Sequence, residues 1–213
     1  FKVKTDLART YIDMAWCCEQ SGDDQRALSL LARSEGLLKK ADDNDPSANL
    51  QLKILGVLPL SFGLSEESWV IGDSRIPGTL SAAQQKLLVE SAYERILLRR
   101  GEFAAARAHI ARRLEILKGR ETSIDVEAKI RALNSDGYCL FNLSKYSEAK
   151  ARFEEALAFS SDTDVNNTGG MSASIGNLVE LYAFACENGI ALLTNPVSEI
   201  ESLKARLLKL RAD

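Results

Sequence analysis

The stretch SKYSEAKARFEEA, residues 144–156, constrains the fold more than any other part of this chain. With Gly137 and Leu140 ahead of it, it reads as a tight turn joining two helices that pack closely. Gly137, Ala149 and Ala156 are small at spacings where two helix backbones approach each other. Leu133, Leu140, Tyr146 and Phe153 are large where gaps between helices need filling. A chain built this way buries its apolar surface by laying helix on helix.

The spacing recurs. From Gly137 it runs to Ser144, Ala149, Phe153 and Ala156; the same intervals give Ala15, Gly22, Ala27, Leu31 and Ser34 near the N-terminus. In the middle of the chain they give Glu94, Gly101, Ala106, Ile110 and Arg113. The turn phrases GDDQRA, GEFAAA and SKYSEA match as well, and glycine suits a chain that leaves a helix in a left-handed conformation. This combination resembles the tetratricopeptide (TPR) repeat, a helix–turn–helix unit of about 34 residues. Glu94 and Arg113 stand where that family prefers small residues, Asp24 where it prefers an aromatic one, and Asp136 where it prefers a large apolar one. Ala27 and Ala106 lie 79 residues apart and Ala106 and Ala149 lie 43 apart, so the helices exceed the family minimum and an insertion follows the first pair. The resemblance implies an all-α fold, a right-handed superhelical stack of antiparallel helix pairs forming a TPR-like α-solenoid.

A single repeat domain over 1–213 is expected, with helix pairs at about 3–41, 81–119, 122–159 and 171–212. In the first pair, Leu7, Tyr11, Met14, Ala15 and Cys18 form a stripe expected to face Ala27, Leu30, Leu31 and Leu38. A further helix is expected near 47–58. An irregular insertion, 59–80, carries Pro59, Gly63, Gly72, Pro77 and Gly78 and is expected to fold back on Trp69. Capping boxes at Ser81–Gln84 and Ser198–Glu201 mark two helix starts, and residues 160–170 read as a polar loop. The first residue is Phe1, and the chain is read as a fragment of a longer protein.

Charge and composition narrow the functional classes. The chain is 46% hydrophobic and 27% charged with a net charge of −3, ordinary for a globular domain. No apolar run approaches the roughly 20 residues that span a bilayer. Cys17, Cys18, Cys139 and Cys186 all fall in expected helices without metal-type spacing; they read as small hydrophobes in an intracellular, cytoplasmic protein. His109 is the single histidine, and it sits mid-helix among alanines and isoleucine. No phosphate-cradling glycine loop, nucleophile elbow or metal-ligand cluster is visible, so no catalytic residue, cofactor or metal is expected and the chain is read as a non-enzyme.

One charge feature stands above this background. Arg95, Arg99, Arg100, Arg107, Arg112, Arg113, Lys118 and Arg120 face only Glu102 and Glu115, a positive island suited to an acidic peptide. The acidic pI near 5.4 and the lack of an interleaved aromatic ladder argue against nucleic acid. By resemblance, the first helix of each pair lines a concave groove that grips a partner peptide or helix. The groove residues are then Arg9, Ile12, Trp16 and Gln20; Arg95 and Arg99; and Asn134, Tyr138, Phe141 and Asn142. The leading reading is a protein–protein interaction scaffold or adaptor. A ligand- or peptide-responsive regulatory sensor and nucleic-acid binding through the hairpin 95–120 are the alternatives.

Overall fold

In the computed structural model, residues 2–39, 82–119, 123–162, 168–192 and 195–212 are described; these are helices and their turns, with no strand among them. The helices are α1 (Lys2–Gln20), α2 (Asp24–Leu38), α3 (Ala82–Arg99), α4 (Phe103–Ile116), α5 (Ser123–Asn142), α6 (Tyr146–Asp162), α7 (Thr168–Glu187) and α8 (Pro196–Ala212). The expected helix at 47–58, the insertion 59–80 with Trp69, and Ser81 lie outside the described residues. The chain divides into two compact units, 1–102 and 103–213, and the division falls within the helix pair read over 81–119.

Four of the helix ends share one turn. Gly22, Gly101, Ser144 and Gly189 have φ of 78, 72, 60 and 66°. At each, the residue's N–H donates three residues back: to Glu19, Leu98, Phe141 and Cys186 carbonyls. The next N–H donates five back: Asp23 to Cys18, Glu102 to Leu97, Lys145 to Leu140 and Ile190 to Ala185, at 2.8–2.9 Å. This double closure satisfies carbonyls that a helix end leaves open and turns the chain sharply. Ser144 alone is not glycine, and a left-handed non-glycine residue costs about 1 kcal/mol or more. After the first turn, Asp23 caps α2, its Oδ1 accepting from the Arg26 N–H at 3.1 Å.

The first unit packs α1, α2 and α3. Ala15, Ala27, Leu30, Leu31, Ala92 and Ile96 form one cluster, and Ala8, Ile12, Leu38 and Val89 a second. The buried line of α1 is therefore Ala8, Ile12, Ala15 and Glu19. Leu7 and Met14 are 42% and 41% exposed, which corrects the expected stripe. Size misled the reading: helices this close need small residues, and the Ser34 hydroxyl, fully buried, donates to the Ala8 carbonyl at 3.0 Å. Ile12 is likewise core, not groove, because α1 packs against α3 as well as α2; Ile12 shares its cluster with Leu38 and Val89.

The second unit packs α4 to α8. Val126, Ile130, Leu133 and Ala156 form one cluster; Leu140, Ala149, Phe153, Leu178, Leu181 and Tyr182 form another. Gly137 lies under the Phe153 ring, and a Cβ there would come 2.6 Å from Phe153 Cδ1. Ala149 and Ala156 have no exposed surface. The small-and-large spacing that opened the sequence reading is thus the packing of α5 on α6. Two expected boundaries move. Ser160 to Asp162 continue α6 and Thr168 to Gly170 begin α7; the rest of the expected loop, 163–167, lies outside the described residues. The last helix starts at Pro196, two residues before the expected box, because Asn195 caps it: its Oδ1 accepts from the Ser198 N–H at 3.4 Å. Proline suits the first helical position, where its missing N–H is no loss.

Candidate partner-binding surface

In the first unit, the residues expected in a groove have different fates. Arg9 is half-buried and bonds Asp13, one turn on, at 2.9 Å. Trp16 is 38% exposed. Arg95 makes a two-pronged bond to the buried Glu19, Nε to Oε1 at 3.0 Å and the terminal nitrogen to Oε2 at 2.7 Å. Arg99 lies 3.7 Å from the same carboxylate and bonds Asp24 as well. A buried carboxylate without a cation would be costly, so Arg95 neutralises Glu19 first. The residue that decides what Arg95 does is Glu19. A shallow opening of about 470 Å³ lies elsewhere on this unit, lined by Thr10, Asp13, Met14, Cys17, Cys18, Ser21 and Arg26.

In the second unit, Asn134 is buried and its amide is used on both sides. Its nitrogen donates to Ser174 Oγ at 2.9 Å, and its oxygen accepts from Asn177 at 3.0 Å, joining α5 to α7. It positions helices and has no amide edge left for a peptide backbone. Tyr138 is half-buried, its ring edge-on to Phe103 with centroids 5.9 Å apart. Asn142 is exposed and donates to the Tyr138 carbonyl at 2.9 Å, within its own helix. Phe141 packs edge-on against Phe184 and Tyr146, at 5.0 and 5.8 Å. Between α5 and α7 a shallow cleft is lined by Tyr138, Phe141, Phe153, Asn177, Glu180 and Leu181.

The basic island is largely paired internally. Besides Arg95 and Arg99, Arg100 pairs with Glu102 at 2.7 Å, and Lys118 with Glu115 at 3.6 Å. Arg107 bonds Asp136 at 2.6 Å, and Arg113 is buried and donates to the Ala128 carbonyl at 3.3 Å. Asp136, the polar residue at a position the repeat pattern gives to an apolar one, is buried between Arg107 and Arg152, the latter at 2.9 Å. That carboxylate ties α4, α5 and α6 together. The Asp136 hydrogen bond raises the Arg107 pKa, and Glu155 first, then Asp136, raises that of Arg152. Burial and the neighbouring Glu154 push the Tyr182 hydroxyl up from its ordinary 10.0.

The residues that sequence reasoning missed are on α7. Asn177, Glu180 and Phe184 border α5, and Glu180 and Glu187 are exposed; they are the only charges on α7, which has no lysine or arginine. The available signal was the helix's one-sided charge inside an apolar sequence. Among the described residues no group of three or more His, Cys, Asp or Glu is placed to hold a metal ion, and no helix is long and apolar enough to cross a membrane. Comparison of the chain with family models, curated proteins and solved structures finds no match.

Proposed function

We propose that this chain is a protein–protein interaction scaffold of the tetratricopeptide type. Its antiparallel helix pairs would continue as a right-handed superhelical stack, with the first helix of each pair turned to a partner peptide or helix. The observation that carries the reading is the turn at Gly22, Gly101, Ser144 and Gly189, the same two-bond closure each time. The pairs α1–α2, α5–α6 and α7–α8, joined by one turn geometry, suit stacking, because each pair of a repeat array leaves apolar surface that a neighbour covers. The close fit of Gly137, Ala149 and Ala156 to α5 and α6 supports the family reading. The proposal is of a non-catalytic role, and an intracellular, cytoplasmic location belongs to it, resting on the helical thiols Cys17, Cys18, Cys139 and Cys186. The pairing of Arg95 and Arg99 with Glu19 and Asp24 removes the argument for an acidic partner at those residues.

Site-specific photo-crosslinking in cells expressing the full chain tests the reading. A crosslinker at the exposed Asn142 on α5 or Ala173 on α7 is expected to capture a discrete protein partner. The same group at the exposed Ala151 and Ala158 on α6 is expected to capture none. Capture from α6 alone, or from neither face, overturns the scaffold reading.

A further inference from the structure

The charges of the α5–α7 face sum in one direction. On α5, Glu127 is paired with Arg131, Lys129 sits 3.9 Å from the centroid of the Phe159 ring, and Asp136 is held by Arg107 and Arg152. Just past α5, Lys145 pairs with Glu148 at 3.2 Å. On α7, Glu180 and Glu187 are exposed, and among the described residues neither has an ion-pair partner. Glu180 stands at the edge of the cleft whose other walls are Tyr138, Phe141, Phe153, Asn177 and Leu181. The unspent charge of this face is two carboxylates beside an aromatic cleft.

We propose that the α5–α7 face takes a cationic, extended peptide segment, with an apolar side chain over the cleft and Lys or Arg on Glu180 and Glu187. This rests on the scaffold reading and gives the partner a sign opposite to that suggested by the positive island in the sequence. Spacing makes it specific. Seven residues of α-helix rise about 10.5 Å, so Glu180 and Glu187 lie on one face two turns apart. Three residues of an extended chain in the polyproline II conformation make one turn and cover about 9 Å, so two basic residues three apart lie on one side and reach both carboxylates. An acidic segment on the same face would meet two carboxylates with no compensating cation, and like charge brought together selects against it.

A random dodecapeptide display library, selected against the full chain and against the Glu180→Gln/Glu187→Gln variant, provides the test. The wild-type chain is expected to enrich peptides with two Lys or Arg three positions apart beside an apolar residue. A synthetic copy of an enriched peptide is expected to bind the double variant roughly fivefold to tenfold more weakly, with less salt dependence. Glutamine keeps the shape and both positions are exposed, so folding is unaffected. Enrichment of acidic or uncharged peptides, or equal affinity for both chains, overturns the inference and leaves the scaffold reading standing. If no peptide is enriched, both fall.

Discussion

Gly137→Ala adds one methyl group where α5 crosses α6. That methyl would lie 2.6 Å from Phe153 Cδ1 and 2.9 Å from Cζ, against a normal carbon–carbon contact near 3.5 Å or more. The Phe153 ring is 3% exposed and shares its cluster with Leu140, Ala149, Leu178, Leu181 and Tyr182, so it has nowhere to swing. Either the ring leaves its rotamer or the helices part, and overpacking of this kind costs about 1–3 kcal/mol. Alanine in mid-helix returns up to about 1 kcal/mol over glycine. The net is a loss of roughly 1–2 kcal/mol. Gly176, within α7, supplies the control: nothing lies within 4 Å of a Cβ there, and Gly176→Ala is expected to stabilise by about 0.5–1 kcal/mol. Urea denaturation followed by far-ultraviolet circular dichroism measures both. Phe153→Leu should cost less in the Gly137→Ala background than in wild type, since the smaller side chain admits the methyl. If Gly137→Ala stabilises as much as Gly176→Ala, α5 and α6 are not in the contact described and the repeat packing argument is lost.

Other outcomes follow from the same geometry. Ser144→Gly relieves a left-handed serine and should raise stability by about 0.5–1 kcal/mol in the same denaturation assay, whereas Gly22→Ala at the equivalent turn should lower it by a similar amount. Asp136→Ala removes the carboxylate that Arg107 and Arg152 share; both arginines still reach water and Arg152 keeps Glu155, so the cost should be about 1.5–3 kcal/mol, above that of Glu155→Ala on the exposed side of Arg152. The Tyr182 hydroxyl has its folded-state pKa raised above 10.0, so the unfolded chain releases that proton first; the stability is whole below pH 10 and falls as pH rises beyond it. Tyr182→Phe should flatten the loss between pH 10 and 11, read from thermal melts across that range.

What the sequence made legible was local. Helix ends were readable because a glycine in the left-handed region marks them, and even Ser144 was placed correctly by its spacing from Gly137. The α5–α6 contact was readable because close helices demand small residues at fixed intervals. The α1 face was not, since Leu7 and Met14 carry more apolar area than Ala8 and Ser34, yet proximity of backbones selected the latter. Arg95 and Asn134 were read as surface residues because their partners are far along the chain: Glu19 is 76 residues from Arg95, and Ser174 and Asn177 are 40 and 43 from Asn134. Periodicity carries no information on pairings of that range. Glu180 was passed over because an isolated glutamate in an apolar helix gains meaning only once the charges on α5 are found to be spent.

Amide hydrogen exchange of the full chain, free and bound to the partner that crosslinking retrieves, reads which helices a partner covers. Slowed exchange is expected in α5 between Glu127 and Asn142 and in α7 between Ala173 and Glu187, with α6 and α8 unchanged. Protection confined to α6 or α8, with α5 and α7 exchanging as in the free chain, would contradict the scaffold reading.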